Sequence, residues 1–84
     1  MSNNLSRSEI EQMVRDEFTR LTKKDCSNFD GDAQLGAGLG IDSLYMLEMY
    51  AMIESSFGVM IPTERLQTMS TINKIVDTIL EFQQ

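Results

Sequence analysis

Leu39-Gly40-Ile41-Asp42-Ser43-Leu44 joins two unlike stretches of this chain. Before it, from about Asp25, the glycines Gly31, Gly36, Gly38 and Gly40 are interleaved with Asp25, Asn28, Asp30 and Asp32, the composition of a loop. After it the chain turns apolar. Met46, Met49, Tyr50, Ile53 and Phe57 fall on one face of a helix, with Leu44, Leu47, Glu48, Ala51 and Glu54 on the others. Gly58 suits the C-terminal cap, where a left-handed backbone is needed. The pattern predicts a helix over residues 43–57 with Ser43 as its cap, since a serine hydroxyl there accepts a first-turn N–H. The same hydroxyl, at the positive end of a helix, can also hold a phosphate.

Working outward, both flanks are helical. Ser6 with Glu9 makes a capping box, and Ser8 with Glu11 an equally good one. Ile10, Met13, Val14, Phe18 and Leu21 then form one apolar stripe, and Lys23 and Lys24 suit the negative end of that helix. Phe29, Leu35 and Leu39 are candidate anchors for the long loop, residues 25–42. Loops of that length are uncommon in a compact domain and are often functional. Beyond Gly58, Pro62 interrupts and Thr63-Glu64-Arg65-Leu66 has room for one short turn. Ser70 is the expected cap of a last helix, whose Ile72, Ile75, Val76, Ile79 and Leu80 follow the i, i+3, i+4, i+7, i+8 rule. No stretch alternates for long enough to make a strand. The expected fold is all-α, a small four-helix bundle of three principal helices and one short one, with a long first connection. At 84 residues one domain over 1–84 is expected, with 1–5 as a disordered tail.

Composition narrows the function. Residues 1–24 carry five basic and four acidic side chains, whereas residues 25–84 carry two basic and nine acidic. An acidic body disfavours nucleic acid, whose binding needs neutralised phosphates, and favours basic protein partners. No apolar run approaches the roughly 20 residues that span a bilayer, and the N-terminus lacks a signal-peptide pattern. A cytoplasmic monomer with no membrane partner is expected. Cys26 is the only cysteine and histidine is absent. That removes an internal disulfide, Ser–His and Cys–His dyads and the usual zinc sites. Gly36-Ala37-Gly38-Leu39-Gly40 fails as a dinucleotide loop, because Ile41 stands where the last glycine belongs. Asn28 to Asp32 fails as a calcium loop, because with Gly31 in register Cys26 and Ala37 occupy the acidic end positions. The residues thus point to a protein with no catalytic residues and no metal site of its own.

Leu39-Gly40-Ile41-Asp42-Ser43-Leu44 resembles the Leu-Gly-x-Asp-Ser-Leu signature of acyl carrier proteins. Leu35, Glu48, Glu54, Phe57, Ile61-Pro62 and Thr71-Ile72 match further family positions, so that the resemblance covers residues 6–82. It implies a four-helix bundle and a covalent 4′-phosphopantetheine arm on Ser43. A phosphopantetheinyl transferase attaches that arm from coenzyme A with magnesium, and its thiol carries acyl thioesters. Asp42 matches the aspartate that supports the metal-assisted modification. Leu44, Tyr45, Leu47, Glu48, Ala51 and Glu54 match the face that partner enzymes read, acyl-loading and condensing enzymes such as an acyltransferase or a ketosynthase.

The resemblance has departures. Gly38, Tyr45 and Ser55 stand where fatty-acid carriers are often acidic, which points to a discrete carrier in polyketide or other specialised acyl biosynthesis. The alternatives are an aminoacyl or aryl carrier of a nonribosomal peptide pathway, for which Gly-Gly-x-Ser is the commoner signature, and a helical interaction module that is never modified.

Overall fold

A computed structural model describes residues 5–83. Among these, α1 spans Arg7–Thr22, α2 Leu35–Leu39, α3 Ser43–Phe57 and α4 Ile72–Phe82, with a 3₁₀ helix at Thr63–Thr68 between the last two and no strand. The all-α bundle is therefore as expected. One element is added: the glycine-rich connection folds its C-terminal part into α2, whose Leu35 and Leu39 are both buried. Five residues with two glycines have little helical preference of their own. Here the burial of two leucines at i and i+4 holds the turn, and Gly40 closes it at φ 68°.

The core is one cluster. α1 contributes Ile10, Val14 and Phe18, α3 contributes Met49 and Ile53, and α4 contributes Ile72, Ile75, Val76 and Ile79, all inaccessible to solvent. α1 packs most extensively on α4 and next on α3. Cys26 is also fully buried, with its thiol near Thr22 Oγ1 and the Lys24 carbonyl. It acts as a small core residue. The half-buried Arg15 ties the loop to α1, its Nη1 donating to the carbonyls of Cys26 (2.9 Å) and Phe29 (2.7 Å). Those loop carbonyls lack ladder partners, and a shielded carbonyl without a donor is costly.

Several boundaries follow the sequence closely. Ser6 and Glu9 form the capping box, each side chain bonded to the other's backbone N–H. Gly58 caps α3 at φ 67°. α1 ends one residue before Lys23, which takes the left-handed cap position itself at φ 62°. The tail expected over 1–5 lies outside the described residues except for Leu5. That residue is tied down, its N–H donating to Gln83 Oε1 and its carbonyl accepting from Gln83 Nε2.

Two caps differ from expectation, each by one residue. α4 is capped by Thr71, whose Oγ1 accepts from the Lys74 N–H at 3.1 Å, and not by Ser70. Ser70 gives its carbonyl to the Leu35 N–H, which binds it to α2. α3 is capped by Asp42, and Ser43 is the first residue inside the helix. Asp42 Oδ1 accepts from both Leu44 and Tyr45 N–H at 3.1 Å. A carboxylate adds a favourable charge at the positive end of the helix, which a hydroxyl does not.

Candidate functional site

Because Asp42 takes the cap, the Ser43 hydroxyl has no structural duty. It makes no hydrogen bond to the described residues, and Ser43 is exposed at the start of α3. The backbone around it is fixed from both sides. Leu39 and Ile41 are buried just before it, and Met49 is buried two turns after it.

Beside Ser43 lies an open groove of about 290 Å³. One wall belongs to α3: Ser43, Met46, Leu47 and Tyr50. The other is Leu66 and Gln67 of the 3₁₀ helix. The lining is mostly apolar side chain. The Tyr50 hydroxyl lies 3.8 Å from the Met69 sulfur, and burial, with the charge of Glu54, pushes the phenol above its usual range, which keeps it neutral near pH 7. A second cavity of about 210 Å³ shares Met46, Leu66 and Gln67 with the first and extends towards Leu35, Ile41 and Ser70. These three side chains line both spaces.

The α3 wall was readable as a pattern, since 43, 46, 47 and 50 follow i, i+3, i+4, i+7. Met46 and Tyr50 share a helix face with Met49 and Ile53, and they pack against the core half-buried. Their outer edges line the groove as well. Leu66 and Gln67 carried no signal, because only the path of the chain after Gly58 brings them opposite α3.

The residues expected to face partners divide in two. Leu44 and Leu47 are 67% and 60% exposed, and Glu48, Ala51 and Glu54 are exposed beside them. Tyr45 turns inward, half-buried against the core. A feature of α1 joins this face: Arg20, Glu17, Glu48, Ala51, Met52 and Ser55 line a shallow cleft between α1 and α3. Arg20 is held by Glu17 through Nε and Nη2. The Glu17 hydrogen bond and charge, with a smaller contribution from Glu48, raise the pKa of its guanidinium further. Glu48 thus shares its cleft with the Glu17–Arg20 pair of a neighbouring helix, which sequence spacing did not reveal.

Gly38 has a packing explanation. A Cβ at that position would come within 2.5 Å of the Phe29 ring, so a side chain of any kind displaces a core contact. The missing acid there reflects how the loop is anchored.

These features define the class: a small helical domain with an exposed serine at a helix start, an adjoining apolar groove, and no histidine anywhere in the chain. Residues 12–79 match the family described as "Phosphopantetheine attachment site". The chain belongs to that family, as an acyl carrier protein family member with covalently bound 4′-phosphopantetheine as its cofactor. It is 29% identical over 79 residues to a protein of Rubrobacter xylanophilus named "Acyl carrier protein", covering 94% of this chain and 98% of that one. The family is generally non-catalytic and works with enzymes such as transferases and synthases. No helix among the described residues is long and apolar enough to cross a membrane.

Proposed function

We propose that Ser43 carries the phosphopantetheine arm. On this reading residues 1–84 form one discrete domain that shuttles acyl thioesters between partner enzymes of polyketide or other specialised acyl biosynthesis. The observation that carries it is the idle hydroxyl: Asp42 caps α3 and leaves Ser43 exposed, without a hydrogen bond to its side chain among the described residues. The fit to the cofactor is good on three grounds. A phosphate joined to Ser43 Oγ lies at the positive end of α3, where an anion is favoured by about 0.3–1 kcal/mol when exposed. Asp42 Oδ1 is engaged in the cap, which leaves Oδ2 to support a magnesium ion brought by the transferase. The groove next to the serine offers apolar surface to the acyl end of the arm, worth about 0.8 kcal/mol per buried methylene.

The chemistry comes from the bound group, whose thiol forms the thioester. The chain positions the attachment point, shelters the cargo and presents a face for partners. That face is Leu44, Leu47, Glu48, Ala51 and Glu54, with Tyr45 behind it as a packing residue. The specialised pathway is favoured by the sparse acidity of α3. Glu48 and Glu54 are its only acids, and Glu48 shares its cleft with Arg20. The test is to incubate the apo protein with coenzyme A, magnesium and a broad-specificity transferase. Intact mass rises by one phosphopantetheine in the wild type and stays unchanged in Ser43→Ala. No gain in the wild type overturns the assignment. Loading with acyl against aminoacyl donors then separates an acyl carrier from an aminoacyl one.

A further inference from the structure

The two walls of the groove beside Ser43 differ in how they are held. The α3 wall is backed by Met49 and Ile53, both fully buried. The opposite wall, the 3₁₀ helix Thr63–Thr68, has no fully buried residue of its own. Its hydrogen bonds are of the i to i+3 kind, in which geometry is poorer and long runs are uncommon. Met69, buried at its C-terminal end, anchors one side of it. On the other side Pro62 is exposed.

One side chain clamps this wall to the rest of the fold. Arg65 precedes Leu66 and points away from the groove, to the end of α4. Its Nη1 and Nη2 donate to Glu81 Oε2 and Oε1 at 2.7 and 2.8 Å. Its guanidinium carbon lies 5.3 Å from the centre of the Phe82 ring. A fork-to-fork arginine–carboxylate pair fixes direction as well as distance, and the aromatic face adds a second restraint on the same plane. Among the described residues it is the one ion pair on the 3₁₀ helix. α4 is a firm base for the clamp, because Ile72, Ile75, Val76 and Ile79 bury it along its length.

We infer that Arg65 is a positioning residue: by clamping the 3₁₀ helix to Glu81 and Phe82 it fixes Leu66, and so sets the length of acyl chain that the groove shelters. Leu66 is the hinge of this inference because it lines both cavities. While it is held, the open groove beside Ser43 has a volume of about 290 Å³, and the neighbouring 210 Å³ space meets it along Leu66, Met46 and Gln67. Once Arg65 is cut, Leu66 keeps only its own packing on the core and the Met69 anchor, so it can shift and the groove can extend into the neighbouring space to take longer chains. The inference rests on the reading that cargo is tethered at Ser43, but the clamp itself does not.

The experiment has two arms. In the apo protein, hydrogen exchange is followed at the Arg65 and Met69 amides, which bond to the Pro62 and Leu66 carbonyls. Arg65→Gln and Glu81→Gln are each expected to speed exchange there roughly three- to tenfold, with the double variant no faster than either single one. In the second arm, wild type and Arg65→Gln are loaded by a broad-specificity transferase from straight-chain acyl-coenzyme A of increasing length, which places acyl-phosphopantetheine on the protein and releases adenosine 3′,5′-bisphosphate. The gain in Tm over unacylated pantetheine is then plotted against chain length. It levels off at longer chains in Arg65→Gln than in the wild type. A purely structural role would lower every Tm equally and leave the levelling point where it was. Unchanged exchange overturns the clamp, and coincident levelling points overturn its control of chain length. A wild type that gains no mass counts against Ser43 as the attachment point.

Discussion

Three helix starts in this molecule use the same chemistry to different ends. At α1 the Ser6 hydroxyl accepts from Glu9, and at α4 the Thr71 hydroxyl accepts from Lys74. In both, the hydroxyl is consumed by the fold. At α3 a carboxylate, Asp42, does that work for two N–H groups at once, and the neighbouring hydroxyl is left over. A hydroxyl engaged in a cap would have to give up that bond to be modified. One displaced by a stronger cap keeps its freedom while the helix keeps its start. On the proposed reading, capping and phosphate carrying are divided between adjacent residues and do not compete for one side chain.

The largest expected effect breaks this comparison outright. Ser43→Ala should abolish the phosphopantetheine mass gain while shifting stability by less than about 0.5 kcal/mol, as for a surface residue without partners. Urea denaturation beside intact mass spectrometry checks both halves, and a large loss of stability would show that Ser43 is structural after all. Asp42→Ala should cost about 1–2 kcal/mol, at the upper end for a cap because two N–H groups lose their acceptor. Asp42→Asn sharpens the point: it should restore most of that stability yet modify more slowly than wild type, since it caps without the charge. Thr71→Ala should cost about 1 kcal/mol and leave the rate of modification at Ser43 unchanged. Ser6→Ala, at a more exposed start, should cost about 0.5–1 kcal/mol, measured the same way.

The smallest effect concerns pH. Hydrogen bonds from Arg65, with its charge, hold the Glu81 carboxyl below its usual range. Its contribution to stability is therefore complete above the unfolded-state value and fades as pH falls through the lower folded value. Following the Glu81 carboxyl resonance by NMR should place its midpoint below that of a free glutamate, and Arg65→Gln should raise it.

Much of this was legible in the sequence because it depends on neighbours along the chain. Periodicity gave α1, α3 and α4, and left-handed capping gave Gly58. The hexapeptide beginning at Leu39 marked the serine proposed as the site. Where two adjacent residues could both cap, spacing could not choose between them. At α4 the choice fell on Thr71 because the Ser70 carbonyl is drawn to the Leu35 N–H on another element. α2 was hidden because its glycines argue for loop, and only the burial of Leu35 and Leu39 outweighs them.

By itself, then, the sequence determined the helices, their core faces and the serine at the mouth of α3, since all three follow from periodicity and short-range hydrogen bonding. The tertiary structure decided what that serine adjoins. Leu66 and Gln67 form the far wall of its groove, Arg65 reaches α4 to hold that wall, and Arg20 of α1 lines one cleft with Glu48. These partners lie many residues apart in the chain. Packing chose them, because burying the core leaves each amphipathic helix one orientation and fixes which outer surfaces must meet.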